Sequence, residues 1–299
     1  MAMAEMDLAQ QVTVVLVTYN SRHILSEALT PLRDGPQVIV VDNGSCDGTP
    51  QLAHTLLPQA NVIELGRNIG FGGANNTALA AVQTPFALLL NPDCVISTGA
   101  IDALLCAAAR YPDAAILAPR LYDAPGKLGL CYRPAFYAAQ PSELIDPQGD
   151  VCSEFLTGAA MLLRMDVFRR IGFFDPWFFL YLEDDDLCMR ARAAGYSLVL
   201  VHDACGEHRV KQSSAPSMRL DFRRGYCATA SKLYALNKHL GRSFYRRARY
   251  RSLVGAAFAL LAAGITFNRR RTMRSIGRLL AAWRAPRLLR RQHCIDALD

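Results

Sequence analysis

With 299 residues, 52% of them hydrophobic and 20% charged, the chain can bury one large or two medium cores, which excludes disordered and fibrous classes. The net charge of +7 is unevenly spread: residues 218–299 carry 19 Arg and Lys against 3 Asp and Glu, whereas residues 1–217 carry 14 against 23. A basic tail on an acidic body needs an acidic partner, nucleic acid or an anionic membrane surface. Residues 1–11 contain Glu5 and Asp7 and no apolar stretch, so no signal peptide is expected there. The nine cysteines form no C-x-x-C pair and several sit in apolar runs, which predicts reduced packing residues in a cytosolic protein and no structural zinc.

The first hundred residues alternate strand and helix signals four times. Val12–Thr18 reads as a buried strand, followed by Tyr19-Asn20 and a helix capped by Ser21 with Ile24, Leu25, Ala28, Leu29 and Leu32 on one face. Val38–Asp42 is the second strand, and the polar loop Asn43–Thr49 leads into a helix over Gln51–Leu57. Asn61–Leu65 is the third, after which Gly70–Asn76 opens a further helix. The uninterrupted apolar run Phe86–Leu90 is the fourth, a strand buried on both faces that ends in Asn91-Pro92-Asp93 and is followed by a helix over Ile101–Arg110. Such alternation implies right-handed crossovers and a mainly parallel sheet.

Every polar cluster follows a strand, so all four gather at one sheet edge, the edge where open α/β sheets bind ligands. Asp93 on its proline-stiffened turn suits a hard divalent cation and the phosphates it carries, or simply ends the strand as an Asx turn. Asp42 is placed to accept hydrogen bonds from a base or a ribose hydroxyl. The glycines at 70, 72 and 73 match neither a G-x-x-x-x-G-K-[ST] loop nor a G-x-G-x-x-G fingerprint, and are expected to allow close packing with backbone N–H groups near a phosphate. The set suits a nucleotide-diphosphate ligand without machinery for ATP hydrolysis.

In order, Val17-Thr-Tyr-Asn20, Val41-Asp-Asn-Gly-Ser-x-Asp-Gly-Thr49, Asn68-x-Gly-Phe-Gly-x-x-x-Asn76 and Asn91-Pro-Asp93 resemble the motif series of inverting family-two glycosyltransferases, with bacterial rhamnosyltransferases the closer likeness. The resemblance runs from about Val12 to Ser214. It implies a GT-A fold, a Rossmann-like α/β sheet flanked by helices, here with a basic C-terminal helical extension. It implies a catalytic domain over 1–217, divided into a nucleotide-sugar half (12–119) and an acceptor half (120–217), with 218–299 as a separate helical region. Thr18, Tyr19, Asn20, Asp42, Asn68, Gly70 and Asn76 would serve the nucleotide-sugar, and Asn91-Pro-Asp93 would stand for the family's DXD motif. Asn91 replaces that motif's first acid, which leaves Asp93 as its carboxylate ligand for Mg2+ or Mn2+.

Residues 120–151, rich in Pro, Gly and Tyr, read as a loop region. Farther on, four consecutive carboxylates, Glu183 to Asp186, follow the aromatic run that starts at Phe178. Mutual repulsion suits such a block to a general base, and a helix N-terminus suits it equally, with Leu187–Ala194 helical and Asp186 as its cap. By resemblance, Tyr181-x-Glu-Asp-x-Asp-Leu-x-x-Arg190 is the acceptor-site motif, which makes Asp184 the catalytic base with Glu183 beside it. Val199–His202 reads as a strand. His208, five residues before Ser213, is either a metal or phosphate ligand, as the resemblance implies, or an exposed polar contact.

The resemblance thus implies single displacement of a nucleoside diphosphate by an acceptor hydroxyl. The donor would be dTDP-L-rhamnose or, as an alternative, a UDP-sugar, and the acceptor a glycan or lipid-linked precursor of a cell-surface polysaccharide. A pyrophosphorylase-like nucleotidyltransferase would need a glycine-rich basic loop that Thr18-Tyr19-Asn20 lacks. A non-catalytic nucleic-acid-binding protein is disfavoured by the carboxylate block, and no nucleic-acid partner is expected. In the tail, Leu253–Phe267 is apolar for 15 residues between arginine clusters, short of the ~20 that span a bilayer. Met273, Ile276, Leu279, Leu280 and Trp283 then share a helical face, with Arg270, Arg271, Arg274 and Arg278 away from it. That pattern predicts peripheral attachment to the anionic inner face of the cell membrane, or else ordinary packing of a helical subdomain.

Overall fold

A computed structural model describes residues 7–209, 217–265 and 267–290. Ser213 and the first six residues, used in the expectations for His208 and for a leader, lie outside the described residues. In chain order the first half comprises α1 (Leu8–Gln11), β1 (Val12–Thr18), α2 (Leu25–Leu29), β2 (Gln37–Asp42), α3 (Thr49–Leu56) and β3 (Asn61–Glu64). It continues through α4 (Phe71–Leu79), β4 (Phe86–Leu90), β5 (Cys94–Ile96), α5 (Thr98–Arg110) and β6 (Ala114–Ala124). Then come β7 (Lys127–Leu128), β8 (Tyr132–Arg133), β9 (Val151–Cys152), β10 (Phe155–Leu156), β11 (Ala160–Arg164) and α6 (Met165–Ile171). The last elements are α7 (Glu183–Ala193), β12 (Ser197–His208), α8 (Met218–Leu240), α9 (Arg242–Ile265) and α10 (Arg269–Leu288).

Two compact units result. One comprises Met1–Ile69, Gly73–Phe174 and Leu187–Ser214; the other comprises Gly70–Gly72, Asp175–Asp186 and Ala215–Asp299. Two internal segments, Gly70–Gly72 and the Asp175–Asp186 stretch that bears the four carboxylates, cluster with the C-terminal helices.

The first unit is built on a sheet of order β3-β2-β1-β4-β11-β6-β12-β5. β1, whose seven positions are all buried, sits between β2 and β4. Its apolar residues cover both faces, and Thr13 keeps its hydroxyl satisfied by sharing a 2.8 Å hydrogen bond with Thr84. Strands β3, β2, β1 and β4 are parallel, as the alternation predicts. Beyond them the sheet becomes mixed. β11 runs antiparallel to both β4 and β6, and β5 antiparallel to β12, while β6 and β12 are again parallel. Ser21 does not cap α2; its hydroxyl accepts from the Tyr19 N–H at 3.2 Å and its N–H donates to Thr49, which ties two loops of the same edge together. The expected apolar face, Ile24 through Leu32, is buried throughout.

In the second unit, α10 lies along α8 at a glycine crossing. A Cβ on Gly225 would collide with the Arg274 carbonyl, and one on Gly277 with the Phe222 carbonyl. Close backbone approach changes which residues face inward. The buried positions of α10 are Ser275, Gly277, Ala281, Ala282, Ala285 and Leu288, whereas Ile276 and Trp283 are exposed, so the large-residue face predicted from sequence is not the one that packs. Arg270 and Arg274 stay exposed, as expected, yet also bind Asp221, which is 1% exposed on α8, at 2.6 and 2.7 Å. The hydrogen bond from Arg270, helped by Arg274, holds the Asp221 carboxyl below its ordinary value. Because the folded state prefers the charged form, this contribution is complete at neutral pH and is lost as pH falls through the carboxylate range. Asp221→Asn should lower the thermal midpoint of the protein at pH 7, and its deficit should shrink as pH falls through and below the carboxylate range, as monitored by circular dichroism. An equal deficit across that range would show that the charge is not what holds α10.

Candidate active site

The parallel strands end level with one another: Thr18 pairs with Asp42, and Asp42 with Glu64. Asp42 is 2% exposed and organises this edge. One carboxylate oxygen accepts from the Thr18 hydroxyl at 3.1 Å and the Ser45 hydroxyl at 2.5 Å, and the other accepts from the Gly44 and Ser45 N–H groups at 3.2 and 2.8 Å. Four donors fill the acceptor capacity of a carboxylate. Asp42 is therefore engaged in folding the loop after β2, whereas its place in the sequence suggests a contact with a base or ribose. Asn20 adopts a left-handed φ of 52° and ties the loop after β1 to the same segment, donating its N–H to Ser45 and accepting from the Cys46 N–H at 3.0 Å. Thr18 is fully buried, while Tyr19 between them is 40% exposed, an aromatic face open to a planar ligand.

Three other residues expected at the nucleotide have structural partners. The Asn43 side chain donates to Asn68 at 3.2 Å and accepts from the Ile69 N–H at 2.9 Å, which joins the loops after β2 and β3. Asn76 both donates to the Phe174 carbonyl, at 2.8 Å, and accepts from its N–H, at 3.0 Å, so its amide clamps a distant backbone. Gly70, at φ 87°, lies so close to Phe179 that a Cβ would stand 2.6 Å from that carbonyl oxygen. The glycine serves this approach.

Asn91-Pro92-Asp93 leaves β4 and turns directly into β5, which pairs antiparallel with the end of β12 and sets His208 opposite Cys94. This pairing brings His208 Nε2 to 3.5 Å from Asp93 Oδ1, and Asp123 stands 4.0 Å from the other imidazole nitrogen. Asp93 is 8% exposed, so its carboxylate is committed to this corner. Asp93, Cys94 and His208 offer ligand atoms within 4.8 Å of one another. Burial, with the Asp93 charge beside it, pushes the Cys94 thiol well above its ordinary pKa in the metal-free site, so the Asp93 carboxylate and the His208 imidazole are the ready donors. Two protein ligands leave room for diphosphate oxygens. The imidazole fits Mn2+ better than Mg2+, which favours oxygen ligands. Asp123 and Glu207 also line a cavity of about 770 Å³.

The second unit carries the carboxylate block. Tyr181 and Leu182 take left-handed φ values of 71° and 66°, a pair of non-glycine residues in a costly region that neighbours must hold. Ser231 donates to the Leu180 carbonyl at 3.0 Å, and Trp177 stacks on Tyr234 with ring centres 3.8 Å apart. Lys238 reaches both Asp175 at 2.6 Å and Asp186 at 2.7 Å, and His239 approaches Asp186 at 2.8 Å. α7 begins at Glu183, one turn earlier than predicted, so all four carboxylates occupy its first turn and Asp186 is not its cap. The dipole at this end favours negative charge. Glu183, Asp185 and Asp186 are buried, and Asp184 is the half-exposed one.

The profile of Glycosyl transferase family 2 matches residues 13–172, more than half of the chain. The chain belongs to this family. A second profile, Glycosyl transferase family group 2, matches residues 146–288 of this family-two member. Among curated relatives, the N-acetylglucosaminyl-diphospho-decaprenol L-rhamnosyltransferase of Mycobacterium tuberculosis is 31% identical over 226 residues, 64% of this chain and 73% of that protein. Among solved structures, the mannosyltransferase PcManGT from Pyrobaculum calidifontis, in complex with GDP-Man and Mn2+, superposes with a TM-score of 0.58 at 16% identity, over 92% of this chain and 87% of that one. GalNAc-T7 with UDP, GalNAc and Mn2+ gives 0.60 at 12% identity over 76% of this chain, which spans 47% of that protein. These likenesses give the family-two glycosyltransferase its GT-A fold.

Of the residues singled out from sequence, Thr18, Tyr19, Asn20 and Asp42 gather at one strand edge, and Asp93 meets His208. Asp123, Lys238 and His239 are additions that only the structure makes. Asp123 carries no local signal. Lys238 and His239 stand out in the sequence only as tail charge.

Proposed function

We propose that this glycosyltransferase moves L-rhamnose from dTDP-L-rhamnose to a hydroxyl of a lipid-linked acceptor, with inversion at the anomeric carbon. The observation that carries the reading is the 31% identity, over 226 residues, to a protein named for L-rhamnosyl transfer involving N-acetylglucosaminyl-diphospho-decaprenol. Tyr19 and the loop shaped by Asp42 receive the nucleoside. Asp93 and His208 would hold a divalent cation, which would supply positive charge against the diphosphate when bound. Asp184, the carboxylate of its block that reaches solvent, takes the proton of the acceptor hydroxyl as that oxygen bonds to the anomeric carbon. The bond from that carbon to the diphosphate oxygen breaks with its electron pair on the leaving dTDP, and no covalent enzyme intermediate forms.

The test offers dTDP-L-rhamnose, UDP-sugars and GDP-mannose with a polyprenyl-diphosphate-linked N-acetylglucosamine acceptor. Nucleoside diphosphate release and the anomeric configuration of the product are then measured. Release from dTDP-L-rhamnose with an inverted product is expected. Preferential release from a UDP-sugar would replace the donor, and retention would remove the single displacement. Chelation by EDTA should stop release and Mn2+ should restore it. Asp93→Ala should raise the Mn2+ needed for half-maximal release by roughly tenfold or more, the scale seen when a metal site is perturbed. An unchanged Mn2+ requirement in that variant would place the cation elsewhere.

A further inference from the structure

We propose that α9 lies in the plane of an anionic lipid leaflet and inserts one stripe of large apolar side chains, independently of which sugar the enzyme transfers. Val254, Phe258, Leu261 and Ile265 are spaced i, i+4, i+7 and i+11, one face of a helix, and all are exposed; Phe258, Leu261 and Ile265 are 68%, 66% and 80% open. Tyr245, Ala256 and Ala263, the buried positions of the same helix, fall about half a turn away by the helical period. Tyr245 packs there with Leu233 of α8 and with Ala282 and Ala285 of α10, and Arg249 donates to the Ala282 carbonyl at 2.8 Å. Between residues 254 and 265 the helix thus turns Ala256 and Ala263 inward and Phe258, Leu261 and Ile265 out, the reverse of a helix that serves only its own core. A contiguous exposed apolar stripe on a soluble surface marks an interaction site.

Charge selects the partner. Arg247, Tyr250 and Arg251 continue the same outward face toward the start of α9, and exposed Arg269 and Arg271 follow its end beyond Phe267, itself 90% exposed. Cations at both ends of an apolar stripe, with an aromatic ring beside them, match lipid phosphates at the headgroup level and acyl chains beneath. α9 is the described helix with the length and hydropathy to cross a membrane. Its apolar part, residues 253–265, would reach only about 20 Å at 1.5 Å per residue, against a hydrocarbon thickness of about 30 Å. Crossing would also pull Tyr245 and Arg249 from their partners on α8 and α10. Lying flat keeps these contacts and buries the stripe alone. The inserted element is therefore α9, whereas the sequence pattern points to α10.

The test sediments the full chain with vesicles of phosphatidylglycerol and phosphatidylcholine, and with vesicles of phosphatidylcholine alone, without donor or acceptor. Affinity for the anionic vesicles is expected, at least tenfold above that for the neutral ones. The triple variant Phe258→Ser, Leu261→Ser, Ile265→Ser should keep its circular dichroism spectrum and lose at least tenfold in affinity. In Phe258→Trp, brominated acyl chains should quench the added fluorescence. Native protein without affinity for anionic vesicles, or a folded triple variant that binds as well as native, would overturn the proposal. So would a fall from dimer to monomer in the triple variant without vesicles, which would give the stripe to a second copy. Because no sugar donor enters these measurements, failure of the rhamnosyl reading would leave them unchanged.

Discussion

Replacing Asp184 by Asn should lower kcat on the order of a thousandfold, the range supplied by a positioned general base, while donor binding is retained. The amide keeps the shape of the side chain, and its oxygen can still accept from the Asp185 N–H, 3.0 Å away in the native structure. It loses the ability to take a proton. Asp185→Asn makes the contrast, since Asp185 is 3% exposed and its replacement should act on stability more than on turnover. Single-turnover kinetics with saturating donor separates the two cases, because an interaction made only in the transition state lowers kcat and kcat/KM together. Retained turnover in Asp184→Asn would move the base to Glu183 or Asp185.

Replacing Asp186 by Ala should cost about 3 kcal/mol, the lower end of the range for removing one partner of a buried ion pair, and should take activity with it. Asp186 is fully buried between Lys238 and His239, while Lys238 is 27% exposed and keeps Asp175, which limits the loss. The proposed base stands two residues before it, on the same helical turn, and the left-handed Tyr181 and Leu182 precede both. Removing the anchor therefore releases a strained segment together with Asp184. Pairing Asp186→Leu with Lys238→Met should restore much of the thermal midpoint without restoring turnover fully, since a well-packed apolar pair can match a buried ionic one in stability. A single Asp186→Ala variant with native midpoint and turnover would remove this anchoring role.

The strands β1, β2 and β4 are legible in the sequence nearly to the residue because each holds an apolar run that ends in polar loop residues, so its limits are clear. β11 is not, since Ala160–Arg164 belongs to a longer apolar stretch, and only its place between β4 and β6 makes it a strand. The meeting of Asp93 with His208 depends on three-residue β5, whose pairing with β12 no local pattern announces. Asn76 and Gly70 carry motif signals, and in the structure they serve backbone contacts with Phe174 and Phe179. In α10 the hydrophobic pattern points to large residues, whereas a glycine crossing needs small ones at the contact. Amphipathicity identifies an apolar stripe and says nothing about whether protein or lipid covers it.

The grip of α8 on the segment 175–186 also sets an order of events as the chain is made. Ser231, Tyr234, Lys238 and His239 lie some fifty to sixty residues downstream of the groups they hold. During synthesis from the N-terminus, strands β1 to β4 and their crossover helices can pair as soon as they emerge, whereas residues 175–186 gain the partners on α8 only once that helix has been made. A nascent chain stalled before residue 231 lacks the α8 partners that fix Leu180 and Asp186. Ordering of the turn that bears Asp184 is thereby deferred to the last third of translation.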